Sequence, residues 1–181
     1  MDYRYKTKKE FKHINRILAI IAGALVLFLV LYFLLPRNEP APIVLLPELS
    51  TTGYAQVNVD AGVIGDTGIV ILTSECYQLT ANTELIQAES IANGLAKKID
   101  FRPNTHDLMK DVLDNFQIEV VMVKIVDLEN STFYSRLILR QENRIVSLDS
   151  RPSDSIALAV RTDSPIYVKE DLMKSEGEYI C

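Results

Sequence analysis

The stretch RIVSLDSRPSDSIALAVRTDSPIYV, residues 144–168, decides the fold. Arg144 to Asp149 predicts a strand that runs straight into a helix from Pro152 to Thr162, because proline is favoured at the first helical position and acidic or hydroxyl side chains suit the positive end. That helix is apolar on nearly every side, through Ile156, Ala157, Leu158, Ala159 and Val160. Such a helix is buried on more than one face, between a sheet and a further layer or subunit. Pro165 to Val168 predicts a short strand behind it, and Glu170 to Lys174 a small helix.

Working outward, Ile118 to Leu128 and Thr132 to Arg140 predict two more strands. The short polar connections Glu129-Asn130-Ser131 and Gln141-Glu142-Asn143 suit hairpins. Further upstream, Ala55–Val63, Ile69–Thr73 and Cys76–Thr80 are β-rich runs broken by Gly62, Gly65, Asp66 and Gly68. Between the two groups of strands lie two helical patterns. One places Leu85, Ala88, Ala92, Leu95 and Ile99 on a single stripe; the other has a stripe of Leu108, Met109, Val112, Leu113 and Phe116. Asn104 and Asp107 form a capping-box signature ahead of the second. The expected fold is α+β, a mostly antiparallel sheet covered by two or three helices, preceded by a single transmembrane helix.

The anchor rests on Ile17 to Leu35, 19 residues without a charge. As a helix they span about 28 Å, the thickness of bilayer hydrocarbon. The basic residues crowd in front of that run: residues 1–16 carry a net +4, while the rest of the chain carries −9. The positive-inside rule then predicts a cell-membrane protein with a cytosolic N-terminus and an extracytoplasmic domain. The expected organisation is a basic tail at 1–16, the span at 17–35, a proline-rich linker at 36–53, the domain at 54–175 and a C-terminal tail at 176–181. With cysteines only at 76 and 181, spacing gives no ground for a disulfide, so Cys76 is expected as a buried strand residue and Cys181 as free or paired between chains.

An acidic body argues against indiscriminate affinity for nucleic acid, which comes mainly from cations that neutralise phosphates. No phosphate-cradling glycine loop, nucleophile elbow or paired-cysteine motif is present. Two histidines, His13 and His106, are too few for a histidine-rich zinc site, so any metal site would be built on carboxylates and suit Mg2+ or Mn2+. Two constellations carry chemistry. Around Asp149-Ser150-Arg151-Pro152-Ser153-Asp154, a strand end meets a helix N-terminus. There Arg151 and Ser153 are candidates for holding phosphate, and Asp149 and Asp154 for binding a cation or acting as a base. The plainer reading is that Ser153 and Asp154 cap the helix and Arg151 pairs with a nearby acid. At Thr105-His106-Asp107, His106 is either a satisfied interior histidine or a proton donor or acceptor. Arg136 and Arg140 form a small basic strip on one strand face.

Thr105-His106-Asp107-Leu108, the run from Asp127-Leu128 through Thr132-Phe133-Tyr134-Ser135-Arg136-Leu137, and Ser150-Arg151-Pro152-Ser153-Asp154-Ser155-Ile156-Ala157-Leu158 resemble the bifunctional nuclease domain family. The resemblance implies a compact α+β domain, a homo-oligomer, and cleavage of phosphodiester bonds in RNA or DNA. Its motif positions include His106, Asp107, Tyr134, Arg136, Asp149, Arg151, Pro152, Ser153, Asp154 and Arg161. The resemblance carries no catalytic set with it; from the residue chemistry itself, His106, Asp149 and Asp154 are the expected catalytic residues, and Arg151, Ser153 and Arg136 the expected substrate contacts, with Mg2+ or Mn2+ held by Asp149 and Asp154. The competing expectation is a non-catalytic oligomeric module that displays a pocket to an anionic ligand or partner.

Overall fold

The computed structural model describes residues 18–32 and 47–181. The chain divides into two compact units, Met1–Pro42 and Ile43–Cys181. In the first, α1 covers residues 18–32 and is exposed along its length. Its 15 residues rise about 22 Å. Among the described residues no helix is long and apolar enough to cross a membrane. The expected span at 17–35 is therefore shown as helix only over its middle. The basic tail, both ends of the span and most of the proline-rich linker lie outside the described residues.

The second unit holds an eight-stranded sheet of order β6-β5-β4-β7-β1-β2-β3-β8. Its strands are β1 (Tyr54–Ile64), β2 (Thr67–Thr73), β3 (Tyr77–Thr83), β4 (Glu119–Glu129), β5 (Thr132–Gln141), β6 (Arg144–Ser150), β7 (Ile166–Lys169) and β8 (Glu178–Tyr179). Every pairing is antiparallel except that of β4 with β7. The exception follows from α4 (Pro152–Thr162), which returns the chain across the sheet so that β7 joins the two three-stranded groups. The β4–β5 hairpin turns on Asn130 and Ser131, both at positive φ, as a two-residue turn of matching twist requires.

Four helices accompany the sheet: α2 (Leu85–Leu95), α3 (Thr105–Asn115), α4 and α5 (Glu170–Glu176). α4 packs on β4 and β5 and also against α2 and α3, which explains why Ser155 through Ala159 are all buried. Its ends coincide with the sequence expectation. α2 is rolled relative to its expected stripe: Ala88, Ile91 and Gly94 face inward, while Leu85 and Leu95 are partly exposed and Ile99 lies beyond the helix in the open. On α3 only Leu113 of the expected stripe is buried. Leu108, Met109, Val112 and Phe116 are exposed, because the neighbouring helix receives the polar N-terminal face of α3 instead.

Two further departures concern the boundaries. Lys124, in the middle of β4, is buried on the face away from the helices. Its Nζ donates to Glu48 O at 2.7 Å and to Ser50 O, and lies 5.0 Å from the centre of the Tyr54 ring. Burial depresses its pKa against the pull of Glu48. The short 3-10 turn Pro47–Leu49, expected as linker, is thus part of the domain. At the other end, residues expected as a tail form β8 on the edge of β3, and Cys76 is joined to Cys181 by a disulfide. The expectation of unpaired cysteines is corrected: the two Cα atoms are 5.1 Å apart because β8 runs beside the start of β3.

Candidate functional site

The site grows from the start of α3. The Asn104 side chain accepts from the backbone N–H groups of His106 (2.9 Å) and Asp107 (3.1 Å), and Asp107 Oδ2 accepts from Asn104 N at 2.9 Å. This completed capping box fixes Asp107 at the buried edge of the helix. Arg161, in the last turn of α4, meets it there. Arg161 Nε donates to Asp107 Oδ1 at 2.6 Å, Nη1 donates to Ser90 O (2.9 Å) and Ala157 O (2.8 Å), and Nη2 donates to Ser90 Oγ (3.2 Å). Burial would raise the Asp107 pKa, but the bonds from Arg161 and the Asn104 backbone, with the Arg161 charge, hold it below the usual carboxylate value. The guanidinium reaches this position because α2 has Gly94 opposite: a Cβ there would lie 2.6 Å from Val160 Cγ2 and 2.8 Å from Arg161 Nη1.

Ser90 links this buried pair to His106. Its Oγ accepts from Arg161 and, at 3.2 Å, from Asn104 Nδ2, which uses both lone pairs. Its own proton is left for His106 Nδ1, 2.9 Å away. The bond count assigns His106 the tautomer protonated at Nε2, and Nε2 points to Asp154 Oδ1 at 3.4 Å. Desolvation lowers the His106 pKa, outweighing the bond and charge of Asp154 that raise it, so the ring is neutral at neutral pH.

Asp154 faces outward to Arg151, accepting from Nε at 2.7 Å and Nη2 at 3.2 Å. This bond is the main cause of the raised Arg151 pKa. With its amide turned to satisfy both atoms, Gln87 donates to Asp154 Oδ1 and accepts from Arg151 Nη2, each at 3.2 Å. The expectation that Ser153 and Asp154 cap α4 is corrected: Arg151 is the N-cap residue, with no side-chain cap, and Asp154 is engaged by Arg151 and His106. The helix start is held from below instead. Ser155 Oγ lies 2.9 Å from Ser135 Oγ, which in turn donates to Ser150 O at 2.7 Å.

The fold therefore brings together His106, Asp154 and Arg151, with Ser153 beside them. It does not bring Asp149 to them. Asp149 is paired in register with Arg136, and the two side chains lie 3.8 Å apart. Their neighbours Ser135 and Ser150 face α4, so alternation along the strands puts Arg136 and Asp149 on the opposite face of the sheet. Asp149 and Asp154 consequently do not form the expected pair of ligands for Mg2+ or Mn2+. Among the described residues no group of three or more His, Cys, Asp or Glu side chains is arranged to hold a metal ion. Arg140 is likewise away from the site, bonded to Glu119.

Sequence reasoning did not single out Ser90. Its signal was faint: a polar residue between the inward-facing Ala88 and Ile91 of α2. Arg161 stood out only through resemblance, although an arginine at the end of an otherwise apolar buried helix calls for a buried acid.

The bifunctional nuclease domain matches residues 70–180. An uncharacterized protein of Mycobacterium tuberculosis (strain H37Rv) is 42% identical over 76 residues, which are 42% of this chain and 44% of that protein. Bifunctional nuclease 2 of Arabidopsis thaliana is 34% identical over 79 residues, and bifunctional nuclease 1 of Oryza sativa subsp. indica 32% identical over 79; each alignment covers 42% of this chain and 24% of the plant protein. The chain thus spans less than half the length of these relatives. With the domain matched over more than half its residues, the chain belongs to the bifunctional nuclease domain family.

Proposed function

We propose that the protein is a membrane-anchored nuclease that cleaves phosphodiester bonds at the start of α4. The observation that carries this reading is the line His106–Asp154–Arg151, which sets a neutral imidazole carrying its proton on Nε2 beside a cation. Arg151 and Ser153 hold the phosphate, and the helix start adds a favourable field. His106 Nε2–H donates a hydrogen bond to the departing oxygen and stabilises the charge that develops there, while that oxygen takes its proton from solvent. The Asp154 carboxylate accepts the proton shed by the attacking water and releases it to solvent as the product leaves. At 3.4 Å the His106–Asp154 bond is long enough to yield to a substrate. No step is assigned to a metal, since Asp149 and Asp154 do not converge. The uncharged run at 17–35 supports the anchor, and the disulfide supports an oxidising, extracytoplasmic location.

The alternative, a non-catalytic oligomeric module, is favoured by one observation: Asp154 already neutralises Arg151 within an acidic body. The exposed apolar residues of α3 support a homo-oligomer under either reading.

The test is cleavage of labelled single-stranded RNA and DNA by the full chain in detergent, with Mg2+, Mn2+ or EDTA. We expect cleavage, a loss of about a hundred-fold or more in His106→Gln, and a comparable loss in Arg151→Ala with little change in melting temperature, since Arg151 is exposed. No cleavage by the wild-type chain under any condition would leave the module.

A further inference from the structure

A cleft of about 250 Å3 opens next to Arg151 and Ser153, between two parts of the sheet that are not neighbours in strand order. One wall comes from β2 and β3, with Val70, Leu79 and Ala81; the other comes from Ile125, Phe133 and Ile156. The interior is apolar and the rim is polar. Among the described residues the side chains of Asn82, Thr83, Thr132 and Ser153, all on that rim, make no hydrogen bond. A cleft of this size is below the range of sites for drug-sized ligands, so it fits one flat group rather than a whole dinucleotide. An adjoining hollow shares Asn82, Thr83, Arg151 and Ser153 and continues to Asp66, Glu84 and Gln87.

We propose that this cleft is a nucleobase subsite: a base unstacked from a single strand enters between Ala81 and Phe133, while its phosphate stays outside at Arg151 and Ser153. The inference rests on the nuclease reading and names its substrate class. A base has two apolar faces and a hydrogen-bonding edge, which is the chemistry the walls and the rim offer. Recognition of unstacked bases combines aromatic contact with such edge contacts. A base inside a duplex cannot reach the cleft without leaving its stack, so single strands are the preferred substrate. The charges favour the base over the phosphate as the source of affinity. Asp154 already offsets the charge of Arg151, and Asp66 and Glu84 stand at the same mouth.

The experiment measures binding of adenosine 5′-monophosphate, ribose 5-phosphate and inorganic phosphate to the full chain in detergent by calorimetry, with cleavage followed separately. The nucleotide should bind about ten-fold or more tighter than the sugar phosphate, the contribution of stacking one base. Ala81→Leu, which fills the cleft, should abolish that preference and leave ribose 5-phosphate binding unchanged. Phe133→Leu, which keeps the site apolar but removes the ring, should reduce the preference in part. Equal binding of all three probes would overturn the subsite, as would Ala81→Leu cleaving and binding like the wild type. Binding of the nucleotide without any cleavage would remove the nuclease reading and leave the subsite standing. A concentration-dependent dimer in which a second copy occupies the cleft, lost in Ala81→Leu with no base preference in the monomer, would replace the nucleobase with a protein side chain.

Discussion

Burial costs a protonated imidazole more than Asp154 returns, and for His106 this has a measurable consequence. Its ordinary pKa of 6.5 is lowered in the fold. Between 6.5 and the lower folded value the unfolded chain holds a proton that the folded chain does not. Stability from this group is therefore full above about 6.5 and is lost as pH falls through that window. Urea unfolding of the wild type should show the loss between neutral and mildly acidic pH, and His106→Gln, which cannot titrate, should flatten it. Asp107 acts in a separate range, its contribution present above 3.8 and lost below. How much of this was legible differs by residue. His106, Arg151 and Asp154 were readable because each occupies a position in a local motif: a capping box or a strand-to-helix junction. The pairing of Arg151 with a nearby acid was legible too, being three positions long, but the contact of His106 with Asp154 was not, since it joins positions 48 apart. Ser90 and the partner of Arg161 were hidden for the same reason.

At the scale of elements, the start of α4 was legible because proline at the first turn is a local signal, and that of α3 because its cap is completed within four residues. Which stripe of a helix is covered is not a local property. Periodicity found the apolar residues of α3 but could not show that α4 would receive the other side, where Asp107 meets Arg161. The α2–α4 contact allows a direct test. In Gly94→Ala the new methyl meets Val160 and an Arg161 held by four bonds that prevent it from moving aside. Overpacking of about 1–3 kcal/mol should exceed the gain of about 1 kcal/mol in helix propensity, giving a lower melting temperature. A higher one would mean that the two helices separate without loss. The strands were legible through their hairpin turns, whereas β8, two residues long and paired with a strand some hundred positions earlier, had no pattern to read.

Across the whole molecule, the family match at 70–180 and the covalent link between 76 and 181 enclose almost the same elements, leaving β1 outside both and β2 wholly outside the ring, to complete the sheet from the N-terminal side. Chemically the chain is a lasso: a closed ring from Cys76 to Cys181 on a stem made of everything before it. A ring can be cut once without coming apart. Limited digestion at the exposed β5–β6 turn, Glu142-Asn143, should give a single species without reductant and two fragments with it. Under tension applied at the N-terminal side, only the stem can be drawn out to its full contour, because the ring transmits load through sulfur and keeps His106, Arg151 and Asp154 inside one loop of fixed perimeter. A domain nicked at that turn would in this way keep both halves of its candidate site, His106 on one and Arg151 with Asp154 on the other, in one covalent piece.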